Sequence, residues 1–487
     1  MKTLITATLL ALACSLPAAG KPNFILINID DQGYADIGPY GSDNATPNLD
    51  RMAREGMKLT SHYAAPVCSP SRAMMMTGCY PKRVLPTPHV LFPAGAIGLN
   101  PDETTLAEVL KSRGYATACI GKWHLGDQPE FLPTAQGFDT YYGIPYSNDM
   151  GTAAEGSKSN PGQPMPDAKA AAKKKAQPAS DEAGIRGNAQ PPLPLVENLD
   201  AIERIKQDGQ HSITRRYTEK ALDFIRQSKD GPFFLYLPHT AVHFPLYPDK
   251  QHMGKSPNGL VGDWAQELDS STGQILDLLR ELGLAENTLV IYTSDNGGAL
   301  NHSSKNTPLR GGKGQTYEGG IRVATLAWWP GKIHAGSSTD AITAHFDFLP
   351  TFAALAGASL PERKLDGKDI SPLLLGKLGA KSRDTFYYYR GHKLEAVRFG
   401  MWKLHLDKGE LYSLREDIGE SNDIAASHPD QVAQLRELAQ KMAADLGLDG
   451  PDAPGVRPLG RVADPLPFIA HDGKVRPGAD GKYKHLD

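Results

Sequence analysis

The chain has 487 residues, 52 basic and 55 acidic side chains, and a formal net charge of −3 at pH 7. This balance offers no basic surface for nucleic acid, so we expect no nucleic-acid partner, and an anionic substrate would need cations concentrated at one place. A chain of this length accommodates a large core and a second, smaller unit.

The N-terminal segment has the pattern of a signal peptide, predicted over residues 1–20. Lys2 precedes an apolar run that ends near Leu16, and small residues follow up to Gly20. The run is too short to span a bilayer and no second candidate exists, so we expect no transmembrane segment and a secreted or periplasmic protein. Lipid attachment at Cys14 is an alternative, because Leu-Ala-Leu-Ala-Cys weakly matches a lipoprotein cleavage site.

Short apolar runs alternate with helical patterns along the next 360 residues. The runs predict buried parallel strands that end at Ile29, Ile120, Leu237, Thr293 and Trp329. The first helical pattern has Thr46 as its expected N-cap and Pro47 at its first position. This alternation predicts an α/β fold with a large, mostly parallel sheet flanked by helices, over residues 21–380.

Polar side chains follow four of these strands directly. In open α/β sheets the carboxyl ends of the strands form the ligand-binding edge. Each residue alone is common in turns, but their shared position predicts a single site. The side chains concerned are Asp30, Asp31, Lys122, His124, His239, His243, Asp295 and Asn296.

The oxygen donors of this set indicate a metal. Asp30, Asp31, Asp295 and Asn296 offer carboxylate and amide oxygens without a thiolate or imidazole among them. Such ligands suit calcium or magnesium better than zinc, and calcium is the more available ion outside the cell.

Four cysteines are present, and Cys14 would leave with the signal peptide. Three thiols remain, so at least one is free, reactive or modified. The spacing of Cys79 and Cys119 allows a disulfide bond between them but does not establish one. Cys68 stands out because it lies in Cys-Ser-Pro-Ser-Arg, among hydroxyls and a guanidinium. Pro70 suits the first turn of a helix, which would place Cys68 at a helix N-terminus that can bind an anion.

Two regions are predicted to lie outside the main sheet. Residues 152–192 are rich in Pro, Gly, Ala and Lys and are expected to form a flexible insertion, although its Lys173-Lys174-Lys175 run can also hold a polyanion. Residues 381–487 predict a smaller α+β unit with antiparallel strands and a Pro/Gly-rich tail. The strand that carries Tyr387, Tyr388, Tyr389, Arg390 and His392 either lines a substrate cleft or belongs to the core.

Cys-Ser-Pro-Ser-Arg resembles the signature Cys-x-Pro-Ser-Arg of the formylglycine-dependent sulfatase family, which has an alkaline-phosphatase-like fold. The resemblance continues through IGKWHLG, GIPYSNDMG, IYTSDNGG and LRGGKGQTYEGGIR, and thus covers nearly the whole mature chain. GIPYSNDMG is most similar to the arylsulfatase A and N-acetylgalactosamine-sulfatase branch. One departure is Cys79, where the family usually has Arg or Lys.

The resemblance implies a cofactor set. Cys68 would be converted to 3-oxoalanine (Cα-formylglycine) by a formylglycine-generating or maturase enzyme. One calcium ion would be held by Asp30, Asp31, Asp295 and Asn296 together with modified Cys68. Arg72 would orient the nucleophile.

The resemblance also implies roles for the remaining site residues. Lys122 and Lys313 would bind the sulfate oxygens, with Ser147 as a further contact. His243 would protonate the leaving oxygen and His124 would act as the base, while His239 competes with His243 for the role of acid.

The implied activity is removal of sulfate from a sulfated carbohydrate, such as an algal galactan or a glycosaminoglycan. Small aryl sulfates, phosphonate or phosphate monoesters, and an inactive glycan-binding role are the alternatives. The sequence leaves the oligomeric state open.

Overall fold

The computed structural model describes residues 20–164 and 180–487. Within these residues the main sheet has ten strands. In spatial order they are Asp200–Arg204, Pro194–Glu197, Thr140–Gly143, Ala116–Ile120, Phe233–Pro238, Asn23–Ile29, Thr288–Ser294, Leu326–Trp328, Met57–Leu59 and Ser337–Thr339. The fold is therefore α/β, as the sequence predicted.

Five neighbouring strands at the centre of the sheet run parallel, from Thr140–Gly143 to Thr288–Ser294. The predicted strand near Trp329 is an exception, because Leu326–Trp328 pairs antiparallel with Thr288–Ser294. Its apolar composition reports burial on both faces, and burial does not depend on strand direction.

Helices cover both faces of the sheet, because alternate strand residues point to opposite sides. Phe24 and Leu26 join one apolar cluster, and Ile25 and Ile27 join another on the opposite face. The α-helices are Pro47–Glu55, Cys68–Thr77, Pro81–Val84, Leu106–Lys111, Gln207–Ser228, Gly259–Glu281, Glu318–Ile321, Phe348–Ala356, Ser371–Leu374 and Pro429–Leu446. Thr46 is the N-cap residue of the first of them and Pro47 its first residue, as predicted, but the Thr46 hydroxyl makes no capping bond and accepts from the Gly38 amide at 2.8 Å instead.

A smaller antiparallel sheet follows in the C-terminal part. Its four strands are Thr385–Arg390, Lys393–Phe399, Trp402–His405 and Leu411–Ser413, and the helix Pro429–Leu446 packs on it. Tyr388 and Tyr389 are buried in a third apolar cluster, which joins this sheet to the main body through Tyr63 and Phe346. These two tyrosines therefore belong to the core.

Part of the predicted flexible insertion is packed. Ser157 and Ser159 are buried, and the hairpin formed by Ser180–Asp181 and Gly184–Ile185 is joined to the chain at Phe92, whose amide donates to Ala183 O at 2.7 Å. Contacts made at both ends of the stretch, which its composition does not reveal, account for the difference. Lys173, Lys174 and Lys175, like the signal peptide with Cys14, lie outside the described residues.

Cys79 and Cys119 do not pair; both are free, buried thiols. Each thiol lies in the cluster of apolar side chains on the same face of the main sheet. No helix in residues 20–164 or 180–487 combines the length and the apolar character needed to cross a membrane.

Candidate active site

The carboxyl ends of the central parallel strands bring the predicted residues together at one edge of the sheet. Strand Asn23–Ile29 is followed by Asp30 and Asp31, Ala116–Ile120 by Lys122 and His124, and Thr288–Ser294 by Asp295 and Asn296. Strand Phe233–Pro238 leads to His239 and His243, and Thr140–Gly143 leads to Ser147. The carboxyl ends of parallel strands lie at the same edge of a sheet, and therefore residues up to 266 positions apart in sequence meet here.

Cys68 is the first residue of helix Cys68–Thr77, and Pro70 lies in the first turn. The helix is buried along its whole length and ends at Gly78, whose φ of 70° is the left-handed conformation that glycine adopts freely. Cys68 is thus fixed at the positive end of a rigid helix, where unpaired backbone N–H groups favour an anion.

Arg72, one turn further along, anchors two of the carboxylates. Its Nη2 lies 2.7 Å from Asp295 Oδ2 and 3.1 Å from Asp30 Oδ2, and its Nε donates to Asp295 at 3.0 Å. Lys122 Nζ also donates to Asp30, and it contacts Ser147 Oγ at 3.1 Å. All of these side chains are buried, so the ion pairs are weakly screened and hold the site rigidly.

Asp31 lies on the cleft side of the same cluster. Lys313 Nζ donates to Asp31 Oδ2 at 2.8 Å, and the Asn296 amide donates to Asp31 Oδ1 at 2.8 Å. His243 Nε2 is 3.6 Å from Asp31 Oδ2, and His243 Nδ1 is 3.2 Å from Ser147 Oγ. The predicted sulfate-binding residues Lys122, Lys313, Ser147 and His243 therefore form one connected network.

The pKa values follow from burial and from these ion pairs. Burial alone would raise the pKa of Asp30 and Asp31, but Lys122 beside Asp30 and Lys313 beside Asp31, with further cations, hold both pKa values below the usual range. Burial, reinforced by the charge of Asp30, raises the pKa of the Cys68 thiol to about 12. The unmodified thiol is thus protonated at neutral pH and is a weak nucleophile.

The two histidines of the cleft have different tautomers. His124 Nε2 lies 2.9 Å from the Leu91 carbonyl, so Nε2 carries the proton; Nδ1 is then a free acceptor, buried and without a hydrogen-bond partner in the described chain. His243 Nδ1 contacts the Phe244 carbonyl, which leaves Nε2 to face Asp31. Burial lowers the pKa of both rings.

His239 lies behind the cleft rather than in it. It is buried against Tyr217, with ring centroids 6.2 Å apart, and burial lowers its pKa to about 3. It is not among the residues that line the cleft, whereas His243 is. This placement favours His243 as the group that meets the substrate.

The donors fit a hard divalent cation. Asn296 Oδ1 is buried and has no hydrogen-bond partner within residues 20–164 and 180–487, which is costly unless a ligand or ion pairs with it. Donor atoms of Asp30, Asp31, Cys68 and His243 lie within 4.8 Å of one another. The carboxylates of Asp30 and Asp31, with that of Asp295 held beside them by Arg72, and this amide oxygen are hard oxygen donors of the kind that calcium prefers.

Two non-glycine residues of the site have left-handed backbone conformations. Asp31 has φ of 60° and His124 has φ of 64°. Such conformations cost free energy, and they concentrate at functional sites where the side chain must point in a fixed direction. Gly121 has φ of 134°, and a Cβ there would lie 1.9 Å from Pro238 O, so only glycine lets the chain turn directly before Lys122.

The cluster opens into a cleft of about 470 Å³. Cys68, His124, His243 and Lys313 line its inner part. The rim contains side chains that the strand-end reasoning missed or weighed only weakly, namely His89, Phe92, Asp149, Arg186 and Arg390. Asp149 follows the predicted Ser147 by two residues, and Arg390 lies in the strand that the sequence offered as a lining of the cleft; Arg186 comes from the insertion.

Cys79 is the position where the chain departs from the sulfatase pattern. Arg457 Nη1 lies 3.8 Å from Cys79 Sγ and also pairs with Glu103 at 2.6 Å. A cation from the C-terminal tail thus occupies the neighbourhood in which family members usually have Arg or Lys.

Comparisons with known proteins show the family of the chain. The protein-family profile "Sulfatase" matches residues 22–358, and "N-sulphoglucosamine sulphohydrolase, C-terminal" matches residues 312–446. Arylsulfatase A of Homo sapiens is 38% identical over 96% of this chain and 96% of its own length. N-acetylgalactosamine-6-sulfatase of Canis lupus familiaris is 38% identical over 81% of this chain and 74% of its own. The chain belongs to the sulfatase family and is a sulfuric ester hydrolase.

Solved structures give the same result for the fold. Ps i-CgsB in complex with k-i-k-neocarrahexaose is 30% identical, with a TM-score of 0.73 over 89% of this chain and 94% of that one. PsFucS1 sulfatase from Pseudoalteromonas sp. is 28% identical, with a TM-score of 0.75 over 87% and 90%. Phosphonate Monoester Hydrolase of Agrobacterium radiobacter, 20% identical with a TM-score of 0.58 over 86% and 94%, shares the fold.

Proposed function

We propose that the protein is an exported sulfatase that uses formylglycine at position 68 and calcium to remove sulfate from a sulfated carbohydrate. One observation carries the proposal: Cys68, at the start of a buried helix, lies in a cleft that two lysines and two histidines enter or adjoin. Positive charge held rigidly where a sulfate group binds lowers the free energy of the transition state.

Formylglycine, when present at position 68, supplies a hydrated aldehyde as the nucleophile. The chain's part is to present Cys68 to the modifying enzyme and to hold the modified residue in place. Calcium, when bound, supplies a Lewis acid for the sulfate oxygens. Asp30, Asp31, Asp295 and Asn296 Oδ1 would hold the ion, and Arg72 keeps Asp30 and Asp295 in place.

In the proposed reaction, Lys122 Nζ and Lys313 Nζ bind and orient the sulfate group. Ser147 Oγ, 3.1 Å from Lys122 Nζ, adds a hydrogen bond. The sulfate ester brings negative charge beside His243, which favours a proton on Nε2, and this proton passes to the leaving oxygen. His124 Nδ1, whose lone pair is unpartnered in the described structure, accepts the proton in the step that releases sulfate.

A carbohydrate substrate is supported by the rim of the cleft and by the relatives. Asp149, Arg186, His89 and Arg390 present charged and polar groups that suit a hydroxyl-rich, anionic ligand. Ps i-CgsB binds a neocarrahexaose, and a further similar structure, 29% identical with a TM-score of 0.69, belongs to the metabolism of multiple glycosaminoglycans by Bacteroides thetaiotaomicron. The proposal also includes a signal peptide over residues 1–20, a domain boundary near residue 380, and a secreted or periplasmic location of the mature protein.

The decisive experiment compares the fraction of formylglycine at position 68 with the rate of sulfate release. The protein is produced with and without a formylglycine-generating enzyme, and peptide mass spectrometry measures the aldehyde or its hydrate at position 68. Sulfate release from a panel of sulfated glycans, 4-nitrophenyl sulfate and a phosphonate monoester should rise in proportion to the modified fraction. Cys68→Ala is the control.

Three outcomes would contradict the proposal. Full turnover with only thiol at position 68 would refute the nucleophile. Stoichiometric zinc without calcium, measured by mass spectrometry of the metal, would refute the metal assignment. Preference for the phosphonate monoester over every sulfate ester would refute the substrate class.

A further inference from the structure

The active-site cleft continues into a second cavity. This cavity, the outer lobe, has a volume of about 440 Å³ and is lined by Gly314, Gln315, Thr316, Tyr317, Arg390, Glu395, His405, Asp407 and Lys408. Gly314 and Arg390 also line the cleft that contains Cys68, so the two cavities adjoin at these residues. A ligand that extends out of the cleft past Arg390 enters the outer lobe.

The floor of the outer lobe continues the segment that carries Lys313, one of the two lysines proposed to bind sulfate. Residues 314–317 follow Lys313 directly, and the smaller sheet fixes them: Lys403 Nζ donates to Thr316 O at 2.8 Å, and the Thr316 hydroxyl donates to Glu395 at 2.8 Å. The Gly314 amide donates to Pro66 O at 2.8 Å, two residues before Cys68. A unit bound in the lobe therefore adjoins the unit whose sulfate is removed.

The chemistry of the lobe is that of a saccharide site. Charged and hydroxyl-bearing side chains predominate over apolar ones. Its two acids are already paired, Glu395 with Arg390 and Asp407 with Lys393 at 2.5 Å. Neither carboxylate is thus left to repel an anionic ligand without compensation.

Arg390 lies where the two cavities meet and is prepared to bind an anion. Its side chain is 55% exposed, and Nε and Nη2 both donate to the same oxygen, Glu395 Oε1. This fixes the plane of the guanidinium, while Nη1 has no hydrogen bond to any described residue. A preoriented guanidinium edge is the group that best binds sulfate or carboxylate.

We propose that the outer lobe is a second saccharide subsite, which takes the neighbouring unit of a polyanionic glycan and uses Arg390 to bind the sulfate or carboxylate of that unit. The inference rests on the proposed sulfatase function and adds that the substrate is a chain rather than a small ester. Lys408, 51% exposed at the lobe, extends the positive charge beyond Arg390.

The test measures binding as well as turnover. Titration calorimetry on Cys68→Ala protein uses two probes, a sulfated galactan tetrasaccharide with sulfate on neighbouring units and a chondroitin sulfate tetrasaccharide with neighbouring carboxylates. Loss of one charge-assisted hydrogen bond should weaken binding of at least one probe about 10-fold in Arg390→Ala, and Arg390→Lys should restore part of it. The matched control is Arg415→Ala, an arginine that lines a different cavity and should change nothing.

Turnover separates this inference from the proposed function. On the Cys68 background, Arg390→Ala should raise KM for the preferred tetrasaccharide by a larger factor than KM for 4-nitrophenyl sulfate, and added salt should shrink the difference. Equal affinity of the Cys68→Ala protein with and without Arg390→Ala for both tetrasaccharides would overturn the subsite, even if sulfate esters are hydrolysed. Failure to hydrolyse any sulfate ester would overturn the proposed function, while the calorimetry would still decide the subsite.

Discussion

Two clusters of buried charge in this molecule have similar composition but different structure. The site cluster contains the buried residues Asp30, Asp31, Asp295, Arg72 and Lys122 and the partly exposed Lys313, at the carboxyl edge of the main sheet. The inter-sheet cluster contains Glu318, Lys403 and Glu420, between the main body and the smaller sheet. Lys403 lies 2.9 Å from each of its two glutamates, and all three side chains are fully buried.

The two clusters differ in whether every buried polar atom has a hydrogen-bond or ion-pair partner. In the inter-sheet cluster Glu318 also accepts from Tyr63 at 2.6 Å and from Tyr388 at 2.9 Å, and none of its polar side-chain atoms is left unpaired in the described chain. At the site, Asn296 Oδ1 and His124 Nδ1 have no partners among the described residues, and a cleft opens beside them. We therefore expect loss of a partner to destabilise the fold in the complete cluster, and we expect the incomplete cluster to bind a ligand.

The largest expected effect is on the site cluster. Asp31→Ala and Asp295→Ala should each lose calcium and about 1,000-fold in turnover, because each removes a hard oxygen ligand and the charge stabilisation that the ion supplies. Chelation and calcium add-back, followed by metal analysis and sulfate release, provide the measurement. Asp340→Ala, a change of one exposed carboxylate, is the control. Wild-type turnover without bound metal would disprove the assignment.

Substitution of the two histidines beside the site cluster, His243 and His124, should impair different steps of the reaction. His243→Ala should slow sugar sulfates about 100-fold, and aryl sulfates far less, because a phenolate leaves without protonation. His124→Ala should allow the first step and stall afterwards, giving one burst of alcohol release. Burst kinetics on paired aryl and sugar sulfates measure both effects.

The same assay on His239→Ala serves as the control for position. Its ring is buried away from the cleft, so no dependence on the leaving group is expected. Equal losses on both substrate types for His124→Ala and His243→Ala, without a burst, would mean that these rings only shape the pocket.

The inter-sheet cluster should respond in stability instead. Lys403→Met leaves Glu318 and Glu420 buried with one cation fewer, so the free energy of unfolding should fall by about 3 to 5 kcal/mol. Denaturant unfolding measures this loss against Lys441→Met, whose lysine is 66% exposed and should cost less than about 1 kcal/mol. Similar midpoints for the two variants would show that the cluster does not stabilise the fold.

Glu267 is a buried carboxyl group of a third kind, with neither a cation contact nor a cleft in the part of the chain that the structure describes. Its Oε2 accepts from the Asp249 amide at 2.8 Å and its Oε1 is unpaired in the described structure; burial raises its pKa from 4.5 to about 8. The unfolded chain therefore releases this proton at lower pH than the folded one, and stability is lost as pH rises from about 4.5 to 8.

Glu267→Gln removes that titration. The free energy of unfolding of the variant, relative to wild type, should rise by about 1 to 3 kcal/mol between pH 5 and pH 8. Thermal or denaturant unfolding at both pH values measures the change. A difference between variant and wild type that is the same at pH 5 and pH 8 would show that Glu267 titrates normally in the folded protein.

The sequence by itself determined the fold class, four of the five parallel strands at the centre of the sheet, and the residue types at their ends; the fifth, Thr140–Gly143, was not predicted. Buried parallel strands require apolar runs, and the residues after them must lie at one edge, so local pattern fixes both. Cys68 at a helix start was likewise readable from Pro70 and the residues around it.

Only the tertiary structure decided what depends on distant contacts. The antiparallel direction of Leu326–Trp328 does not alter its composition, because both directions bury the same side chains. The proton on His124 Nε2 depends on Leu91, and the choice between His239 and His243 depends on which ring reaches the cleft.

Arg186 and Arg390 reach the cleft from the insertion and the smaller sheet, and Glu318 meets Lys403 across 85 residues. From sequence alone, a charged residue in a loop or strand is predicted to be exposed to solvent. Whether it is buried and which residue it pairs with depend on the packed chain and not on the local sequence.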